Sequence, residues 1–120
     1  MFKHILLPTD GSDLSESAIR RAIPFARSVN ARVTGFHAMP EFHVLSYKTT
    51  MLEDTEEEFV RDCAARADRF LAFIEDAARS AGVPCETAVA TSDHPHEAIL
   101  KAAGDRDCDL IMMASHGRKG

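Results

Sequence analysis

The sequence has no excess of positive charge and no long apolar run, and each absence narrows what the protein can be. Its 120 residues include 19 acidic and 14 basic side chains, which gives a formal net charge of -5. Nucleic acids and anionic membranes require a cationic surface on their protein partners, so neither is expected as the main partner. No stretch approaches the ~20 apolar residues of a membrane-spanning helix. The apolar run near the N-terminus is too short for a signal peptide.

Cysteine is scarce and unpaired. Cys63, Cys85 and Cys108 are far apart and form no C-x-x-C motif. An odd number of widely spaced cysteines indicates small buried side chains in a reducing compartment rather than disulfides or zinc ligands. Because signal and membrane segments are also missing, we predict a cytoplasmic protein. Its length predicts one domain over residues 1–120.

Signatures of two common nucleotide enzymes are missing too. The chain has neither G-x-x-x-x-G-K-[ST] nor G-x-G-x-x-G, which disfavours a P-loop kinase and a Rossmann dehydrogenase. Ser12 and Ser15 have no nearby histidine with a reason to act as a base. Ser115 and His116 are neighbours at a strand end, where adjacent side chains point in different directions. Covalent catalysis is therefore not expected.

Apolar runs and turn residues alternate in a regular order along the chain. Strands are predicted at 4–8, 32–38, 85–90 and 108–114, and helices at 12–30, 52–80 and 96–103. Ser12 or Asp13 is expected to cap the first helix, with Glu16 completing a capping box. The order β-α-β-α-β-α-β implies an α/β fold with right-handed crossovers and a mostly parallel sheet. Spacing alone leaves the strand order open.

The long second helix carries an apolar stripe in alternating steps of three and four residues. Such a stripe fits either a coiled-coil seam or a helix packed on a sheet, and its high alanine content favours the sheet. The predicted stripe consists of Val60, Cys63, Ala67, Phe70, Ile74, Ala77 and Ala81.

Two loops combine the residues of a candidate ligand site. Asp10 follows the first strand, and the small and cationic residues of 115–120 follow the fourth. Loops at the carboxyl ends of parallel strands bind ligands, and these two face each other if their strands are neighbours. Asp10 could accept ribose hydroxyls or hold a hydrated Mg²⁺. Glycine amides and Lys119 could hold phosphates. The alternative is a tight turn at Asp10 and a frayed chain end.

Histidines suggest two weaker sites. His37 could reach the ligand site, but a hydrogen-bonded structural role is favoured. The other candidate is a five-residue segment that contains Asp93, His94, His96 and Glu97. These side chains could bind a metal ion only if the segment were extended, and Pro95 within it favours the N-terminus of a helix instead.

The residues at the two ends of the chain resemble a known family. These are Pro8-Thr-Asp10-Gly-Ser12-x-x-Ser15-x-x-Ala18 and Asp109-Leu-Ile-Met-Met-Ala-Ser-His-Gly117-Arg-x-Gly120. From Lys3 to Gly120 the chain resembles the universal stress protein family. The resemblance implies a flavodoxin-like, adenine nucleotide alpha hydrolase-like three-layer sandwich. Its parallel strands would have the order 3-2-1-4-5.

The resemblance also implies a stress-response module that binds ATP or a related adenine nucleotide. In such members a carboxylate matching Asp10 faces the ribose and a Mg²⁺ held through water, and the backbone at His37-Ala38 meets adenine. No catalytic residue is implied, and any enzyme activity would be slow ATP hydrolysis or phosphotransfer. The alternative is a nucleotide-free, dimeric module that regulates partner proteins. The implied binding residues are Pro8, Thr9, Asp10, His37, Ala38, Met113, Ala114, Ser115, His116, Gly117, Arg118 and Gly120.

The chain departs from the family's Gly-x-x-Gly, nine residues, Gly-Ser or Gly-Thr signature in two places. Ala114 stands at the first glycine, and the second half of the signature does not follow Gly120. We therefore expect a domain truncated at its C-terminus, without the family's last helix and fifth strand. Such a domain would have an open edge at the fourth strand, and open edges favour association. A homodimer is expected.

Overall fold

A four-stranded parallel sheet lies between two helical layers in the computed structural model, which describes residues 2–43 and 55–114. The strands are β1 (His4–Pro8), β2 (Arg32–Met39), β3 (Cys85–Thr91) and β4 (Leu110–Ile111). The helices are α1 (Asp13–Ser28), α2 (Glu56–Ala81) and α3 (Pro95–Asp105).

The strand order is β3-β2-β1-β4, and every neighbouring pair is parallel. The expected order 3-2-1-4 and the flavodoxin-like α/β fold are therefore confirmed. Since β1 and β4 are neighbours, the chain leaves both strands at the same edge of the sheet. β4 is shorter than the predicted 108–114, because it pairs with β1 only through Leu110 and Ile111. Cys108 instead donates its backbone N–H to the Ala103 carbonyl at the end of α3, at 2.8 Å.

Side chains of β1 alternate between two cores, as a strand buried on both faces requires. Ile5 and Leu7 pack in the core under α1 and α2, whereas Leu6 packs with Phe36 under α3. Ile5, Leu6 and Leu7 are all fully buried. The central strand is therefore packed on both faces, and the loop with Asp10 follows its carboxyl end.

The buried stripe of α2 differs from the predicted one. Val60 is 53% exposed, and Phe70 and Ala77 are only partly buried. A straight helix drifts away from a 3.5-residue repeat, so its buried face moves from the predicted alternation onto other positions. This drift is typical of a helix packed on a sheet, the interpretation that the sequence favoured. The buried positions are Cys63, Ala67, Leu71, Ile74 and Ala78.

Ser12 caps α1, accepting a hydrogen bond from the Ser15 backbone N–H at 3.1 Å. The predicted capping box with Glu16 is wrong, because the third helical residue is Ser15. α2 does have a full capping box, between Thr55 and Glu58. The last two residues of α3, Gly104 and Asp105, lie past the predicted end at 103.

The three cysteines are free. Cys63 is buried, while Cys85 and Cys108 are partly buried, so the expectation of small buried side chains holds fully only for Cys63. Burial raises the pKa of the Cys85 and Cys108 thiols. Among the described residues, no helix has the length and apolar character needed to cross a membrane.

Candidate functional site

A cavity of about 240 Å³ opens at the carboxyl edge of the sheet. Its walls come from the ends of β1 and β2, from the residues after β4 and from the first turn of α3. Its lining residues are Pro8, Thr9, Asp10, Ser15, Phe36, His37, Ala38, Pro95, His96, Ile99, Met113 and Ala114.

The loop after β1 holds Asp10 with a set of short-range hydrogen bonds. Asp10 Oδ1 accepts the Ser12 backbone N–H at 2.9 Å and the Ser15 hydroxyl at 2.8 Å. The Gly11 N–H donates to Thr9 Oγ1 at 3.0 Å. Gly11 has a φ of +81°, a left-handed conformation that glycine adopts without steric cost. The sequence Thr9 to Ser12 thus folds into a tight turn that presents the carboxylate.

Hydrogen bonding lowers the pKa of the Asp10 carboxyl group. Burial alone would raise the pKa of its carboxyl group. Hydrogen bonds from Ser12 and Ser15 to the charged form outweigh burial and lower the pKa to about 2. At neutral pH the group is therefore a carboxylate. Mg²⁺ prefers oxygen ligands and is commonly held by one or two carboxylates with water, so Asp10 fits the role predicted for it.

His37 supports this loop from β2. Its Nδ1 lies 2.8 Å from the Thr9 carbonyl oxygen. Because a carbonyl can only accept, Nδ1 carries the hydrogen and donates it. The ring also meets Phe70 of α2 edge-on, with centroids 5.1 Å apart and an interplanar angle of 82°. These contacts match the hydrogen-bonded structural role that the sequence favoured for His37.

The structure brings together every predicted binding residue that it describes. Those residues are Pro8, Thr9, Asp10, His37, Ala38, Met113 and Ala114. The other predicted residues lie outside the described part of the chain, and they are Ser115, His116, Gly117, Arg118 and Gly120.

Sequence reasoning missed the remaining cavity residues. Pro95, His96 and Ile99 begin α3, and they reach the cavity because α3 starts where β3 ends, at the same edge of the sheet. The β-α-β order contained this signal, since every helix after a parallel strand starts at the carboxyl edge. Phe36 and Ser15 were the other lining residues not predicted.

The histidine window does not assemble into a metal site by itself. His94 is the N-cap residue of α3, and His96 lines the cavity. Within the described residues, the one group of three potential ligands joins Asp93 to Glu41 and His43, with ligand atoms within 4.8 Å of one another. Asp93 accepts the Glu41 backbone N–H at 2.9 Å and is hydrogen-bonded to His43. All three side chains are exposed. The contacts of Asp93 with Glu41 and His43 connect the loop after β3 to the loop after β2.

The whole chain, residues 1–120, matches the universal stress protein family. It belongs to that family. A universal stress protein of Thermus aquaticus, described by its position in the QAH/OAS sulfhydrylase 3' region, is 35% identical over 120 residues. The match covers 98% of this chain and 80% of the relative.

Solved structures agree with this membership. Universal stress protein MJ0577 of Methanocaldococcus jannaschii has a TM-score of 0.77 at 28% identity, covering 98% of this chain and 78% of that one. A universal stress protein in complex with cAMP has a TM-score of 0.68 at 24% identity, covering 93% and 75%. An Arabidopsis thaliana family protein with AMP bound has a TM-score of 0.66 at 16% identity, covering 92% and 76%. These last two share the fold with this chain.

Proposed function

We propose that this universal stress protein binds an adenine nucleotide, ATP with Mg²⁺, in the cavity at the carboxyl edge of its sheet. The observation that carries the proposal is the position of Asp10, an ionised carboxylate at the rim of an otherwise largely apolar cavity. AMP and cAMP in two structures of the same fold support the choice of an adenine nucleotide.

The cavity walls suit the two chemical halves of a nucleoside. Phe36, Ile99 and Met113 offer apolar surface for a planar base, and the Asp10 carboxylate can accept the ribose hydroxyls or hold a hydrated Mg²⁺. The volume of about 240 Å³ is smaller than the ~300–1,000 Å³ of most ligand pockets. The cavity therefore takes the nucleoside, and the phosphates remain for the glycine-containing segment 115–120 that was predicted to hold them.

Binding rather than rapid turnover is proposed. The Ser15 hydroxyl donates to Asp10, and the imidazole of His37 is engaged with the Thr9 carbonyl. Neither group is arranged as a nucleophile with its base. Slow hydrolysis with Asp10 orienting a hydrated Mg²⁺ stays a prediction, as do the cytoplasmic location and the homodimer.

Calorimetric titration of the protein with ATP and Mg²⁺ tests the binding proposal. We expect saturable binding that weakens at least about tenfold in Asp10→Asn, equivalent to about 1.4 kcal/mol. Asp13→Asn is the matched control, because it removes the same charge from an exposed position three residues away. It should bind as the unaltered protein does. Absence of saturable binding, or equal losses in both variants, would contradict the proposal.

The nucleotide-free regulatory module remains the alternative function. Nucleotide that copurifies with the protein, released by denaturation and identified by chromatography, would argue against this alternative. Protein that is free of nucleotide and does not bind added ATP would favour it.

A further inference from the structure

Phe70 of α2 fills the space directly beside the Asp10 turn. A Cβ added to Gly11 would lie 2.3 Å from Phe70 Cε1, closer than any real contact allows. The ring therefore contacts the backbone of the turn itself, and only glycine permits that approach. Phe70 is 60 residues from Asp10 in the sequence, so this contact exists only because α2 packs across the sheet face under the loop.

The same ring also braces His37. Phe70 meets the imidazole edge-on, and the imidazole donates to the Thr9 carbonyl. That carbonyl belongs to the planar peptide unit that leads into Asp10. Phe70 and His37 thus hold the turn from two sides, one through Gly11 and the other through Thr9. Neither needs to touch a ligand to determine where the carboxylate lies.

We propose that Phe70 and His37 are positioning residues for Asp10. They hold the turn in the geometry in which Ser12 and Ser15 both donate to the carboxylate, and so they keep the carboxylate oriented at the cavity. The consequence for nucleotide affinity rests on the binding function proposed above. The consequence for the Asp10 carboxylate itself does not, and it can be measured without a nucleotide.

The direct test follows the exchange of the Ser12 backbone amide proton with solvent, measured by NMR in the nucleotide-free protein. In Phe70→Ala the turn loosens, the hydrogen bond from the Ser12 N–H to Asp10 Oδ1 weakens, and this proton should exchange about tenfold faster. Phe73→Ala is the matched control. Phe73 is an aromatic residue on the same helix, but it packs beside Arg20, whose guanidinium carbon lies 5.0 Å from the ring centroid.

A purely structural role for Phe70 would lower the stability of both variants and change the exchange of the Ser12 amide proton equally in both. Equal exchange rates in Phe70→Ala and Phe73→Ala would therefore overturn the proposal. If Phe70→Ala does not fold, Phe70→Leu serves instead, with a smaller increase in the exchange rate expected for the same reason. His37→Phe removes the donor to Thr9 and should also speed the exchange of the Ser12 amide proton.

ATP affinity supplies the second readout. Phe70→Ala should bind ATP with Mg²⁺ about five- to tenfold more weakly, whereas Phe73→Ala should bind as the unaltered protein does. Faster exchange of the Ser12 amide proton in Phe70→Ala, in a protein that binds no ATP even without substitutions, would sustain the positioning role and contradict only the nucleotide function. Unaltered ATP binding in Phe70→Ala would overturn the positioning role and leave the nucleotide function standing.

Discussion

Gly35 of β2 and Ile74 of α2 meet where the helix crosses the sheet. A Cβ on Gly35 would lie 2.9 Å from Ile74 Cδ1 and 3.2 Å from its Cγ2. Both residues are buried, and Ile74 is 0% exposed. The absence of a side chain at Gly35 therefore sets how closely α2 approaches the sheet, and hence how far Phe70 reaches toward the Asp10 turn.

Gly35→Ala is expected to destabilise the protein. The added methyl group overpacks the interface, which typically costs about 1–3 kcal/mol. Gly104→Ala is the control, since a Cβ there meets nothing within 4 Å and lies in α3. Replacing a helical glycine with alanine should stabilise by up to about 1 kcal/mol. Urea unfolding measures both, and a Gly35→Ala variant as stable as the unaltered protein would show that α2 shifts freely.

Stability should fall under mildly acidic conditions because of His4. This residue is 3% exposed, and its Nε2 lies 2.6 Å from Thr34 Oγ1. Burial, and then the positive charge of Arg32, lower the pKa of His4 below its ordinary 6.5. The unfolded chain therefore takes up the proton first, so the contribution of neutral His4 is present above pH 6.5 and is lost as the pH falls below it.

Unfolding measured across pH 5 to 8, a range of about three units around the histidine pKa, tests this expectation. His4→Gln should reduce the acid dependence of the free energy of unfolding. His94→Gln should keep it, because His94 is exposed and makes no side-chain cap hydrogen bond. An identical pH dependence in all three proteins would assign the acid sensitivity to other groups.

Removal of the capping box of α2 should lower the free energy of unfolding. Thr55 Oγ1 accepts the Glu58 backbone N–H at 3.1 Å, and the Glu58 carboxylate accepts the Thr55 backbone N–H at 2.8 Å. Thr55→Ala should destabilise the protein by about 0.5–2 kcal/mol in thermal or urea unfolding. Thr55→Ser keeps the hydroxyl acceptor and should lose little. Equal stability of both variants would contradict this prediction, because it would mean that the hydroxyl cap of α2 does not stabilise the folded state.

The exposed edge at β4 underlies the prediction of a homodimer. β4 is the outer strand of the described sheet, and Met113 beyond it is 42% exposed. Unpaired strand edges and exposed apolar side chains both favour association. We expect light scattering to report a homodimer with twice the 13.2 kDa chain mass over a wide concentration range. A monomer throughout that range would contradict the dimer prediction.

Local patterns in the sequence predicted the elements well. Helix and strand periods arise from the local conformation of the backbone, so the order of elements and the Ser12 cap could be identified from neighbouring residues alone. Element ends were less predictable. The length of β4, for example, depends on how many of its residues lie alongside β1, and β1 lies about a hundred residues away in the sequence.

Some residues of the candidate site could likewise be identified from the sequence, and others only from the tertiary structure. Asp10 could be picked out because its turn is built from adjacent residues, and the strand order that places it near Ala114 came from a family resemblance. Only the tertiary structure brought Phe70 against Gly11 and Glu41 beside Asp93. These contacts join residues 50 or more positions apart. They depend on where α2 packs on the sheet and on the pairing of β2 with β3. Apolar periodicity determines which face of a helix is buried, but the packed sheet decides what that face touches.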